Sequence, residues 1–159
     1  LILFNAHGGQ IGLLQAVARE LRAQSSSMAV LPCFIWSGID ALKDLIPNSE
    51  VEEGLHAGLA ETSLMLNLAP ELVGLERPID GLQEQSLNTK KNNVPKGWSL
   101  EGAAPSAWLT KDLSSSGVIG DSTDSSPELG KALEKALVDH WAKLFSNLMD
   151  SDWPPICSN

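Results

Sequence analysis

The chain has 159 residues, 43% of them hydrophobic and 19% charged, enough to bury one ordinary core and too apolar for a disordered segment. A net charge of −9, from 11 basic and 20 acidic residues without a basic cluster, argues against nucleic acid or an anionic membrane surface as a partner. No apolar run approaches the ~20 residues of a membrane span, and Cys33 and Cys157 match no metal or redox spacing, so both read as free thiols in a reducing, cytoplasmic compartment.

Residues 1–6 read as a short buried strand ended by glycines. No basic segment precedes the run and no small-residue cleavage site follows it, so it is not a signal peptide. The expectation is a sequence that begins inside a larger protein. His7-Gly8-Gly9-Gln10 is a tight turn, and residues 11–24 carry helical periodicity through Leu14, Val17, Ala18 and Leu21. Residues 29–36 read as a second buried strand, with Pro32 an irregularity. Ser37 is placed to cap a short helix bearing Ile39, Leu42 and Ile46, stopped by Pro47. A third helix is expected over residues 57–69, stopped by Pro70.

Strand, helix, strand, helix is the pattern of parallel βα units, with ligands expected where the strands end. Residues 76–127 are rich in Gly, Ser, Asn, Pro and Lys and read as either a functional loop or a partly disordered insert. The last helix is the clearest: Ser125 or Ser126 caps it, Pro127 and Glu128 suit its first turn, and Leu129, Leu133, Leu137, Trp141, Leu144 and Leu148 form its apolar stripe. His140 lies beside that stripe and reads as half-buried and structural. Residues 150–159 read as a frayed tail.

Two motifs carry chemistry. Asn5-Ala6-His7-Gly8-Gly9-Gln10 follows a buried strand and precedes a helix. A neutral imidazole there can bind a metal, or the glycines serve only to make the turn. The GxGxxG spacing of a dinucleotide loop is absent, and no GxSxG elbow follows. The second motif is His56-Ala57-Gly58-Leu59-Ala60-Glu61-Thr62-Ser63. Five residues on a helix rotate a side chain by about 140°. His56 and Glu61 therefore converge only if His56 lies before the first turn, which Gly58 permits. Otherwise both are capping or solvated residues. Asp121 reads as a turn residue, and Trp36, Trp98 and Trp108 as core more than pocket.

Together the motifs resemble the creatininase family of metal-dependent amidohydrolases. NAHGGQ stands where the family has an Asn-Gly-His-Gly-Gly-Asn-type turn, and HAGLAETS matches His-Ala-Gly-x-x-Glu-Thr-Ser. SLMLNLAPELV continues the pattern, and GVIGDSTDSSPELGKAL is similar to the stretch that leads into the family's last helix. The four matches cover most of the chain, with the poorest fit around residues 80–105.

The resemblance implies an α/β fold, a three-layer α/β/α sandwich with a mostly parallel sheet, here incomplete at its N-terminal side. Residues 1–149 would be the C-terminal part of a single domain. It also implies a pair of divalent metals (zinc, manganese or iron), with His7 and Glu61 as ligands and His56 as the catalytic acid/base or substrate contact. Metal-activated water would then hydrolyse the C–N bond of a small-molecule amide, in a homo-oligomer that the family builds as a hexamer.

The departures bear on activity. The family's first metal motif, Glu-x-His-Gly followed by a bridging Asp, lies upstream of the HGG turn and is absent from this sequence. One His and one Glu cannot hold two metals, so the chain by itself is expected to be inactive. Ala6, Gln10 and Ser122 stand where Gly, Asn and Pro are usual, and Leu55 where creatininase itself carries Glu. The substrate is left open among creatinine, a formamide of flavin or deazaflavin synthesis and a peptide precursor. The alternative is a non-catalytic truncated or degenerate family member that serves as a folded or subunit-interaction domain.

Overall fold

The computed structural model describes residues 1–25, 27–81, 97, 99–100 and 104–153. The chain divides into two compact units, Leu1–Asp40 with Lys135–Asn159, and Ala41–Glu134.

The first unit opens with β1 (Ile2–Asn5), a 3-10 turn at Gly8–Gln10, α1 (Ile11–Gln24) and β2 (Leu31–Phe34). The two strands pair in parallel, from Ile2 with Leu31 to Asn5 with Phe34. This is the βα unit that the apolar runs predict, but β1 is not the buried strand expected: Ile2 and Phe4 are 41% and 54% exposed, and only Asn5 is buried. Pro32 fits because Leu31 and Ile35 donate to the Leu1 and Asn5 carbonyls, so the missing N–H of Pro32 faces away from β1. On α1, Ala18 is buried and Leu14 and Leu21 half-buried, whereas Val17 points outward.

The last helix, α5 (Pro127–Met149), contributes its residues 135–149 to this unit. Trp141 meets Phe4 edge-on at 5.0 Å and Phe145 at 5.5 Å between ring centroids, a geometry that suits the aromatic quadrupole. The Trp141 indole donates to the Ile35 carbonyl at 2.9 Å, so its polar edge is satisfied where its ring is packed. His140 is half-buried as expected, and its Nε2 is enclosed without a hydrogen-bond partner among the described residues. Cys33 is a free thiol whose pKa burial pushes up. Cys157, most of the expected tail and Trp98 lie outside the described residues.

The second unit holds α2 (Asn48–Glu53), α3 (Leu59–Leu68), a 3-10 turn at Pro70–Leu72, β3 (Ile79–Asp80), α4 (Thr110–Leu113), β4 (Gly120–Asp121) and residues 127–134 of α5. β3 and β4 are antiparallel, Ile79 opposite Asp121 and Asp80 opposite Gly120. Leu113 and Ile119 form a core with Leu55, Leu100 and Trp108 against them. The Trp108 indole donates to the Leu100 carbonyl, so this tryptophan is a core residue.

The segment after Ser37 corrects the sequence expectation. No α-helix carries Ile39, Leu42 and Ile46; a 3-10 helix spans Asp40–Asp44 instead. Gly38 takes a left-handed φ of 76° directly after Ser37, which breaks the helical entry that a serine cap needs. Pro47 does not close that segment only. With φ −66° and ψ 152° it is also the N-cap of α2, a start for which its fixed φ is suited.

α3 is shorter than expected, beginning at Leu59 after Gly58 as N-cap. It meets α5 at Gly130, where a β-carbon would collide with the Ser63 carbonyl and the Asn67 side chain. The fully buried Ser63 hydroxyl accepts the Ser126 amide at 3.1 Å, and Asn67 donates to Glu134 at 2.8 Å. Ser126 caps α5 by accepting the Leu129 amide. No helix among the described residues is long and apolar enough to cross a membrane.

Candidate active site

The turn between α2 and α3 is built from backbone ties to Ile119, just before β4, and side-chain ties from the following helix. The Leu55 and His56 amides donate to the Ile119 carbonyl, and the Ile119 amide returns to the His56 carbonyl at 2.7 Å. His56 and Ile119 thus form an isolated antiparallel bridge. The chain then turns at Ala57, whose φ of 52° is left-handed, a conformation that costs a residue with a β-carbon about 1 kcal/mol or more.

Two side chains from the first turn of α3 hold this strained residue. Glu61 Oε2 accepts the Ala57 amide at 2.6 Å, and Thr62 Oγ1 donates to the Ala57 carbonyl at 2.9 Å. Glu61 is the third helical residue, the position from which a carboxylate reaches back over a helix start. His56 therefore stands before the first turn, and its Nδ1 lies 4.0 Å from Glu61 Oε2, with both side chains more than one-third exposed. That is an ion-pair distance rather than a hydrogen bond. The structure brings together the two residues whose convergence the sequence made conditional on this entry geometry.

Glu50, on α2, carries no signal of its own in the sequence. Its Oε1 accepts the Ala60 amide at 3.1 Å from ten residues upstream. Burial raises its pKa from the ordinary glutamate value, opposed by the Ala60 and Leu59 amides and reinforced by the Glu61 and Asp121 carboxylates. The one hint of it is the glycine spacing. Gly54 and Gly58 have φ near −75°, which any residue can adopt, so what they supply is room. Asp121 Oδ1 takes the amide and hydroxyl of Thr123 at 2.9 and 2.6 Å, the turn role expected of it.

His7 belongs to the first unit, where β1 ends. The buried Asn5 brackets it: Asn5 Nδ2 donates to the His7 carbonyl at 2.8 Å, and the His7 amide donates to Asn5 Oδ1 at 3.0 Å. The Trp36 indole donates to the Ala6 carbonyl. The imidazole lies over Gly9, where a β-carbon would stand 3.0 Å from Nε2.

Among the described residues no three His, Cys, Asp or Glu side chains group so as to hold a metal ion. His56 and Glu61 supply two donors, and one Glu61 oxygen is already taken by the Ala57 amide. Even one catalytic zinc takes three protein ligands. The described donor set therefore does not by itself fit a metal pair.

Residues 1–145 match the Creatininase family, described as creatinine amidohydrolase. The chain belongs to the creatininase family. The mycofactocin precursor peptide peptidase of Mycobacterium tuberculosis, found in two strains, is 26% identical over 147 residues, which cover 87% of this creatininase-family chain and 45% of the relative. The chain thus spans about half the length of the curated relatives it matches. Two solved structures, a "Creatininase Mn" and a tryptophan-to-phenylalanine mutant creatininase, are each 22% identical, with TM-scores of 0.59 and 0.57. They cover 98% of this chain and 57% and 56% of their own. At that identity the likeness is one of fold, and it agrees with the α/β character of the creatininase-family chain.

Proposed function

We propose that this chain is part of an amidohydrolase that cleaves the C–N bond of a small amide, with His56 as its acid/base residue and Glu61 and His7 as its contribution to a divalent-metal centre. The observation that carries the reading is the His56–Glu61 pair, 4.0 Å apart at a strained turn, in a chain of the creatininase family. Amide hydrolysis needs a proton delivered to the leaving nitrogen, and imidazole is the side chain that exchanges a proton near neutral pH. The bridge to Ile119 and the Glu61 and Thr62 ties around Ala57 fix the backbone from which His56 projects, which limits the reorganisation such a transfer requires.

The relatives include a manganese creatininase and a peptidase of a peptide precursor. Zinc, manganese or iron, and creatinine, a formamide or a peptide, are accordingly the metals and substrates to test. The described residues do not fit the metal alone, so the proposal includes donors outside them.

The test has two arms. In calorimetry with elemental analysis, the 159-residue chain is expected to show no tight stoichiometric binding of Zn²⁺ or Mn²⁺; tight binding would overturn the shared donor set. Complemented with the segment that bears the Glu-x-His-Gly motif in a family enzyme, and supplied with metal, it is expected to hydrolyse one of the three substrate classes. His56→Ala should then lower turnover by about a hundredfold or more. Failure on all three classes with the complemented fold intact overturns the catalytic reading in favour of a non-catalytic family domain.

A further inference from the structure

The Glu50 carboxyl sits in a slot that only glycines leave open. A β-carbon on Gly58 would lie 2.5 Å from Glu50 Oε1, and one on Gly54 would lie 2.7 Å from Oε2. Across the slot, Gly120 of β4 faces the same carboxyl, and its β-carbon would stand 3.5 Å from Oε2. From this seat Glu50 Oε1 holds the Ala60 amide, one of the donors a helix start leaves without an intrahelical partner. α3 has no side-chain cap at its N-cap position, because that residue is Gly58. Glu50 takes the capping role from another helix. The chain between the slot and this amide is the strained turn that carries His56.

We infer that Glu50 is the positioning residue of the His56–Glu61 pair: seated among Gly54, Gly58 and Gly120, it fixes the start of α3 and with it the turn on which His56 stands. The significance for catalysis rests on the amidohydrolase reading, but the placement does not. It is tested without metal or substrate, so failure of hydrolysis and failure of this inference are separate results.

The experiment is NMR on the full chain, whose three histidines are few enough to assign. The readouts are the His56 ring shifts, the ring's contacts with the Glu61 side chain, and amide exchange at Ala60, with Leu133 as the control in the core. Glu50→Ala is expected to move the His56 signals and to speed Ala60 exchange about tenfold or more, as loss of a hydrogen bond to a charged group requires, with Leu133 unaffected. Glu50→Gln keeps the acceptor and the volume and is expected to retain the parent's His56 pattern. Gly58→Ala fills the slot while leaving Glu50 in the sequence, and should reproduce the Glu50→Ala pattern. The Glu50→Ala/Gly58→Ala double variant should be no worse than either single.

Unchanged His56 signals in Glu50→Ala, equal effects of Gln and Ala, or additive effects in the double variant would each overturn the inference. If Glu50→Ala loses the fold, the other two singles decide: Gln must hold the His56 pattern and Gly58→Ala must lose it. Any other result overturns it.

Discussion

Two histidine turns, each just before a helix, are held in different ways. The His7 turn is fixed almost within itself. Asn5, two residues away, takes both the amide and the carbonyl of His7, and the helix that follows begins at Ile11 without strain. The His56 turn is fixed from a distance. It bonds to Ile119, it passes through a left-handed alanine, and its helix is capped by Glu50 from ten residues upstream. A turn of the first kind survives changes elsewhere in the chain. A turn of the second kind is only as good as the packing that brings its partners together, and it can hold a strained residue because several partners over-determine it.

The strongest way to break this contrast is Gly130→Ala. The new methyl has no room against Ser63 and Asn67 of α3, the same helix whose first turn holds Ala57. Overpacking at such a contact is expected to cost about 3 kcal/mol. Urea unfolding should show it, and NMR should show the His56 signals moving while those of His7 stay in place. Equal shifts in both histidines would mean that the two turns are not independently held.

Asn5→Ala is the converse. It removes two hydrogen bonds around a residue only 6% exposed, an expected loss of about 1–2 kcal/mol. Amide exchange at His7 should quicken while exchange at Ala57 does not change. A variant as stable as the parent would show that Trp36 alone holds the turn.

The smallest effect is one of pH. Asp80 pairs with β4 directly beside Ile119. Its carboxylate accepts the Ser116, Ser115 and Gly81 amides and the Ser114 and Ser115 hydroxyls. Led by the Ser116 amide, these donors hold it well below the usual carboxylate range. The folded carboxyl therefore binds its proton at lower pH than the unfolded one, whose pKa is about 3.9. Its contribution is complete above about pH 5 and is lost as pH falls below about 4. Stability measured by urea across that range should fall with acid, and Asp80→Asn should flatten the fall. The solvent that still reaches this half-buried residue keeps the effect modest. An unchanged acid profile in the variant would remove Asp80 from the account of the β3–β4 pair.

What the sequence by itself determined is whatever depends on neighbours a few residues apart. Residues 11–24 read as a helix and α1 spans those residues, because an amphipathic period and a glycine turn are local. The same holds for α5, whose serine cap and proline start were legible, and for the parallel pairing of two apolar runs around a helix. The motifs HGGQ and HAGLAETS pointed to the family for the same reason: a turn and the residues it places are written in consecutive positions. Tertiary structure alone decided the rest. Gly38 broke the helix that Ser37 promised, since a left-handed φ is set by where the chain has to go next. Ile119 became the partner of His56 across more than sixty residues, and Glu50 acquired a role because Gly54, Gly58 and Gly120 leave space at one point. A missing side chain is visible in a sequence, but what occupies the space it leaves depends on chain paths that meet only in the folded protein.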